Sequence, residues 1–233
     1  DMAMLEGAER TAVAEHIKRE DLNKWVLRSH SFAVKARADG VLNDVIVQVA
    51  DGADRDEGIR NRMSERLLAK VPVLLPKGQV LTVANTCLTN DGAAFVALAS
   101  EQYVSAHCIR PLAELVDVVM TGGDPLMSPK TAVLAIERVL KKHNMTSEDI
   151  DVFECNEAFA VIDELFMRAY PDAVDRYNIF GGALAYGHPY GASGGIITLH
   201  AVKALEKTKG EYAVVSVAAA GGIGTAMLIR YCR

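Results

Sequence analysis

From about residue 110 onward the chain alternates short apolar runs with amphipathic stretches, and glycine-rich or polar islands break that alternation. Residues 115–120 form a strand-length apolar run. Ser128-Pro129 opens a helix with proline at the first helical position, where its missing N–H costs nothing. Ala132, Val133, Ile136, Val139 and Leu140 share one face of that helix. Lys141, Lys142 and His143 close its last turn, where cations suit the helix dipole. Residues 150–153 read as a strand, 157–170 and 193–205 as helices, and 213–217 and 225–231 as two closing strands. Strands alternating with helices predict an α/β fold with a helix-covered sheet.

The first third reads differently. Residues 1–70 carry 12 of the 25 basic and 13 of the 30 acidic side chains, which predicts a surface-exposed subdomain attached to a compact core. Within it Leu22, Trp25, Val26, Ser29, Ala33 and Ala36 recur at helical spacing, and Gly40 supplies a stop. Val45, Val47 and Val49 alternate as in a short strand, and 80–83 and 93–98 read as buried strands bounded by Asn85 and by Asn90-Asp91-Gly92. The chain opens at Asp1 inside a polar, helix-like stretch, which suggests a fragment.

Half of the 233 residues are apolar, enough for one large domain or two small ones. A net charge of −5 and a pI near 5.7 argue against nucleic-acid or membrane-surface binding, both of which need a basic footprint. No apolar run reaches bilayer length, and nothing resembles a signal peptide. Cys87, Cys108, Cys155 and Cys232 are spaced like neither a disulfide framework nor a zinc site, so reduced thiols and a cytoplasmic location are expected.

Three islands could carry chemistry, because an α/β protein places its site where strands end and helices begin. Asn156-Glu157-Ala158-Phe159 follows a strand and opens a helix. Asn156 and Glu157 could be an N-cap and a first-turn acid, or the Asn156 amide could hold a water or a substrate oxygen. Residues 178–194 set a single His188-Pro189 among five glycines ahead of a helix. His188 is either a structural histidine or a general acid/base held in a rigid turn. Ala218-Ala219-Ala220-Gly221-Gly222-Ile223-Gly224 follows a strand and hints at a dinucleotide turn. Only nine residues follow Gly224, too few for the crossover helix and its acidic partner, so a tight hairpin lining a site fits better.

These islands, in this order, resemble the thiolase family: Asn-Glu-Ala-Phe, Gly-Gly-Ala-Leu-Ala-x-Gly-His-Pro-x-Gly-Ala-Ser-Gly, then Gly-Gly-x-Gly in a terminal hairpin. Met4-x3-Ala8-Glu9, Arg19-Glu20-Asp21, Leu27-Arg28-Ser29-His30, Asp56-Glu57-Gly58-Ile59-Arg60 and Asn90-Asp91-Gly92-Ala93-Ala94 agree with it. The resemblance covers the whole chain but only the later part of a thiolase. It implies a layered fold of two α/β halves, each with a five-stranded mixed sheet and helices on both faces, and a charged loop domain over coenzyme A. On that map residues 1–88 are part of the loop domain, 89–110 the end of the N-terminal half, and 111–233 the C-terminal half. It implies an acyltransferase acting on acyl-CoA thioesters, of the acetyl-CoA acetyltransferase type, with coenzyme A as substrate and no prosthetic group or metal. His188 matches the histidine that activates a nucleophilic thiol, and Asn156 the asparagine that holds a water in the same oxyanion hole. Arg60 matches a residue near the adenine, Ala158 and Phe159 line the pantetheine path, and Cys87 stands where a serine is usual beside the pantetheine.

Two departures qualify the resemblance. The segment that bears the nucleophilic cysteine lies before Met4, and none of the four cysteines present matches it. The acid/base cysteine of the family's last motif is Ala218 here, and Ala220 replaces a glycine whose N–H serves a second oxyanion hole. Acyl transfer or thioester hydrolysis is therefore more plausible than carbon–carbon bond formation. The rival reading is an inactive acyl-CoA-binding or partner subunit. Either way an N-terminal thiolase half is an expected partner, together with assembly as a homodimer or tetramer.

Overall fold

The computed structural model describes residues 4–49 and 55–232. Helices α1 (Met4–Ala14) and α2 (Arg19–Asp39) are followed by two short helices, α3 (Glu65–Leu68) and α4 (Glu101–Ala106). Strand β1 (Ala113–Gly122) comes next, then α5 (Lys130–Lys142), β2 (Val152–Cys155) and α6 (Ala160–Ala169). The single turn α7 (Ala183–Tyr186), helix α8 (Ser193–Thr208) and the hairpin β3 (Tyr212–Ala219) to β4 (Ile223–Tyr231) complete the chain.

The strands form one sheet in the order β1-β4-β3-β2. The β2/β3 pair is parallel, and β3/β4 and β4/β1 are antiparallel. Alternation along the strands sorts the core into two layers. Phe153, Cys155, Val214, Ala218, Ala226 and Leu228 pack with the apolar faces of α5 and α6. Val152, Ala213, Val215 and Ile229 meet Ile197, Ala201, Ala204 and Leu205 of α8. Helices thus cover both faces, as expected. A fifth strand is reduced to one bridge, Phe153 to Tyr177. Asn178, at φ 42°, ends it: its side chain accepts from Cys155 N–H at 2.8 Å and donates to Cys155 C=O at 3.0 Å, where a continuing strand would have paired.

The charged first third is not a peripheral subdomain. Leu22, Trp25, Val26, Ser29, Ala33 and Ala36 of α2 are buried, and Trp25 Nε1–H donates to Glu164 on α6 at 3.1 Å. The charges lie on the opposite face, in pairs such as Lys24–Asp21 and Lys35–Asp39. Gly40, at φ 67°, stops the helix as read. The first three residues of the opening stretch lie outside the described residues.

Three expected strands do not form. Residues 45–49 are irregular, and Val47 and Val49 are exposed, with no strand beside them among the described residues. Val80, Leu81 and Thr82 are buried, but the ladder is cut to one bridge, Val73 to Thr82, and side chains take most of its other positions. The Glu9 carboxylate accepts the N–H groups of Gln79, Val80 and Leu81 at 2.5–3.1 Å, and Asn85 binds Thr82 N–H and Val80 C=O. Residues 93–98 run without hydrogen-bonded partners among the described residues, leaving Phe95 91% and Leu98 78% exposed.

Glu154 on β2 is fully buried, and both its carboxylate oxygens lack partners among the described residues. Burial holds its pKa well above the ordinary carboxylate range, which favours the neutral acid. A carboxyl with a raised folded pKa stabilises most below its unfolded value of about 4.3, and that stability is lost as pH rises through the folded value. Glu154→Gln keeps the shape and stays neutral. Its melting temperature relative to wild type should therefore rise between pH 5 and pH 9; an offset constant over that range contradicts this.

Candidate functional site

The site lies beyond the carboxyl ends of the parallel pair β2 and β3. Asn156 prolongs that ladder by one step, its N–H donating to Ser216 C=O at 3.0 Å. Helix α6 begins at Ala160 with Phe159 in the capping position, so Asn156 does not cap it. Its side chain turns inward, 2% exposed. Nδ2 lies 3.3 Å from His188 Nε2, and Oδ1 is buried without a partner among the described residues. That oxygen is a waiting acceptor, since a buried carbonyl oxygen left unpaired costs free energy.

Glu157 is likewise no first-turn acid. It is 1% exposed and accepts from Ser29 Oγ–H at 2.6 Å, Asn178 Nδ2–H at 2.9 Å and Leu184 N–H at 3.2 Å. It thereby clasps α2, the turn after the Tyr177 bridge and α7 around Asn156. Glu157→Ala strands these donors in the core. It should cost about 3 kcal/mol, a fall of roughly 6–12 °C in Tm; a melt within 2 °C of wild type contradicts that clasp.

His188 is held at both ends. Gly187 sits at φ 93°, and a Cβ there would come within 2.4 Å of Asn90 Oδ1, so only glycine fits. The His188 N–H donates to Leu88 C=O at 2.7 Å, and Pro189 packs on Gly92. The ring is half-buried, and burial holds its pKa below the ordinary histidine value, so it is neutral near pH 7. Nδ1 lies 2.5 Å from Oγ of Ser193, a buried residue at the start of α8. Tyr190, at φ 38°, sets its ring 5.2 Å from the imidazole.

The remaining candidates surround this pair unevenly. Cys87 is half-buried, its N–H donates to Ala158 C=O at 3.1 Å, and burial pushes its thiol up to about 11. Ala158 and Phe159 are buried, and Phe159 bridges Thr86. Arg60 is exposed; its N–H donates to His30 Nδ1 at 3.1 Å, and burial, then the Arg60 charge, push His30 down to about 4. Ala220 is exposed on the β3–β4 turn, away from any hydrogen bond to Asn156 or His188 among the described residues. That turn is the tight hairpin expected: Gly222, at φ 75°, receives Gly123 N–H on its carbonyl at 2.7 Å and donates to Ser128 Oγ at 3.0 Å. Ala218 is buried near the end of β3, two residues beyond Ser216.

Ser193, the Leu88–Gly92 clamp and the Glu157 clasp escaped the sequence reading. Ser193 stood inside the motif, five residues after His188, but neither strand nor helix periodicity predicts a contact across that turn. Among the described residues no group of His, Cys, Asp and Glu could hold a metal ion, and no helix is long and apolar enough to cross a membrane.

The family model for the thiolase C-terminal domain matches residues 109–231, more than half of the chain. The chain belongs to the thiolase family. The thiolase N-terminal domain model matches residues 1–102. Among curated thiolase relatives, the rat mitochondrial trifunctional enzyme subunit beta is 34% identical over 95% of this chain and 51% of its own length. Human mitochondrial 3-ketoacyl-CoA thiolase is 36% identical over 96% of this chain and 58% of its own. Among solved structures, the Bacillus anthracis acetyl-CoA acetyltransferase superposes with a TM-score of 0.92 at 31% identity, covering 99% of this chain and 60% of that one. Human mitochondrial 3-ketoacyl-CoA thiolase in complex with CoA gives 0.89 at 34% identity, covering 99% and 59%. This thiolase chain therefore spans little more than half the length of the relatives it matches.

Proposed function

We propose that this chain is the thioester-handling part of an acyltransferase acting on acyl-CoA, with His188 and Asn156 at its centre. The observation that carries the reading is their 3.3 Å approach beyond the β2–β3 ends, with Asn156 Oδ1 buried and unpaired among the described residues. A neutral imidazole can take the proton of a thiol at Nε2 and then donate from the same atom to a thioester oxygen. A water on Asn156 adds a second donor, and such donors aimed at developing charge are worth roughly 3–4 kcal/mol each. Cys87, Ala158 and Phe159 border the pantetheine in this reading, Arg60 approaches the adenine, and Ala220 lines the turn at the acyl end. No prosthetic group enters; coenzyme A is the substrate.

The thiol itself is assigned to an N-terminal thiolase portion. Burial pushes the thiols of Cys87 and Cys155 up, which suits neither as a nucleophile. The bare apolar run at Phe95 and Leu98 supports such a portion, since exposed apolar patches mark interaction surfaces. The domain division at residues 88 and 110, a homodimer or tetramer, and a cytoplasmic location belong to the same reading; the two curated relatives named above are mitochondrial proteins.

Ala218 favours a second reading, an acyl-CoA-binding subunit without turnover. Acyl exchange between acetyl-CoA and labelled CoA, measured on the full gene product, separates the two. Exchange that His188→Ala abolishes supports the transferase; acetyl-CoA binding without exchange selects the binding subunit. Robust cleavage of acetoacetyl-CoA contradicts the role given to Ala218.

A further inference from the structure

Everything the proposed chemistry asks of His188 depends on which ring nitrogen carries the proton. An imidazole takes a thiol proton only through a bare nitrogen, and it can donate only from a protonated one. On the Nε2 side, the Asn156 amide nitrogen faces the ring at 3.3 Å, and an NH2 group, which can only donate, pairs there with a bare Nε2. The proton then belongs on Nδ1, and Ser193 Oγ lies 2.5 Å from that atom. Ser193 is 4% exposed, so no bulk water competes for the contact. It is the first residue of α8, and the His188 backbone is anchored by its N–H to Leu88 C=O at 2.7 Å.

We propose that Ser193 is the positioning residue that holds His188 in its Nδ1–H tautomer, leaving Nε2, beside the Asn156 amide, as the nitrogen that can take up a proton. The role rests on the functional reading above, but the tautomer is a property of the unliganded chain. When a proton moves from a thiol sulfur to Nε2, the thiol becomes a thiolate and the ring an imidazolium. Nδ1–H still donates to Ser193 throughout, so the ring need not turn between its base and donor roles. A carboxylate in place of Ser193 would favour the imidazolium; a neutral hydroxyl orients the ring and leaves it neutral. That suits a group which must begin as a base.

The test is 15N NMR of the chain with 15N-labelled histidine, with the His188 signals assigned by their loss in His188→Gln. Wild type at pH 8 should show a pyrrole-type Nδ1 and a pyridine-type Nε2. Ser193→Ala should move most of the population to the Nε2–H form that a free histidine side chain prefers, and Ser193→Thr, which keeps the hydroxyl, should restore the wild-type pattern. A wild-type proton on Nε2, or an unchanged tautomer in a folded Ser193→Ala, overturns the proposal. Neither result depends on turnover, so a failure of the transferase reading registers separately, in the acyl-exchange assay.

Discussion

Replacing Ala218 by cysteine is expected to raise the exchange of acetyl-CoA α-protons with D2O by at least about 10²-fold, the lower range for a positioned general base. Residue 218 sits on β3 two residues beyond Ser216, whose carbonyl receives the Asn156 N–H, so it lies at the same end of the sheet as the Asn156–His188 pair. The Ala218 methyl can neither take nor give a proton. Exchange of the α-proton needs a base and a stabilised enolate oxygen, but no nucleophile, so the assay isolates the single function missing at this position. The extra sulfur enters a buried site and carries an overpacking cost of about 1–3 kcal/mol; a thermal melt of the variant accounts for it. Ala218→Ser, similar in size but a far weaker base, should remain at the wild-type rate. Exchange in wild type equal to that of the cysteine variant removes the significance of the substitution.

The second large effect concerns the oxyanion pair. His188→Ala should abolish acyl exchange by the full gene product, and Asn156→Ala should lower its kcat by about 10²–10³ with a smaller change in KM. Asn156 bears no secondary-structure duty that would confuse the result. It does not cap α6, and its ladder bond to Ser216 uses the backbone N–H, which alanine keeps. Equal loss in kcat and in folding stability would instead mark Asn156 as structural.

The α/β half of the fold was legible because its elements obey local rules. The apolar stripe of α5, the closing hairpin and α8 each carry their own periodicity and stops, and they form close to where the pattern puts them. What misled was tertiary substitution for local structure. The Glu9 carboxylate and the Asn85 amide occupy the ladder positions of residues 79–82, and the Asn178 amide does the same at the edge of β2. A sequence pattern cannot distinguish an apolar run served by a strand from one served by a side chain some 70 positions away. Residues 93–98 show the opposite case, a strand-like text with no neighbour to pair with among the described residues.

The site divided in the same way. His188 and Asn156 stand in quotable motifs, and the fold brings them together. Glu157 sits in one of those motifs too, but its work lies with Ser29 and Asn178, 128 and 21 residues away, which no spacing rule reaches. Ser193 becomes meaningful only once the turn at Gly187–Tyr190 brings the imidazole against the start of α8.

The most direct measurement is a pair of calorimetric titrations, acetyl-CoA and then free CoA, on this chain and on Asn156→Ala. Only the thioester carries the oxygen that Asn156 and His188 are held to serve. The account predicts that both ligands bind the wild-type chain, and that Asn156→Ala weakens acetyl-CoA by about tenfold, one hydrogen bond's worth, while leaving CoA unchanged. No binding of acetyl-CoA, or equal weakening of both ligands, contradicts it.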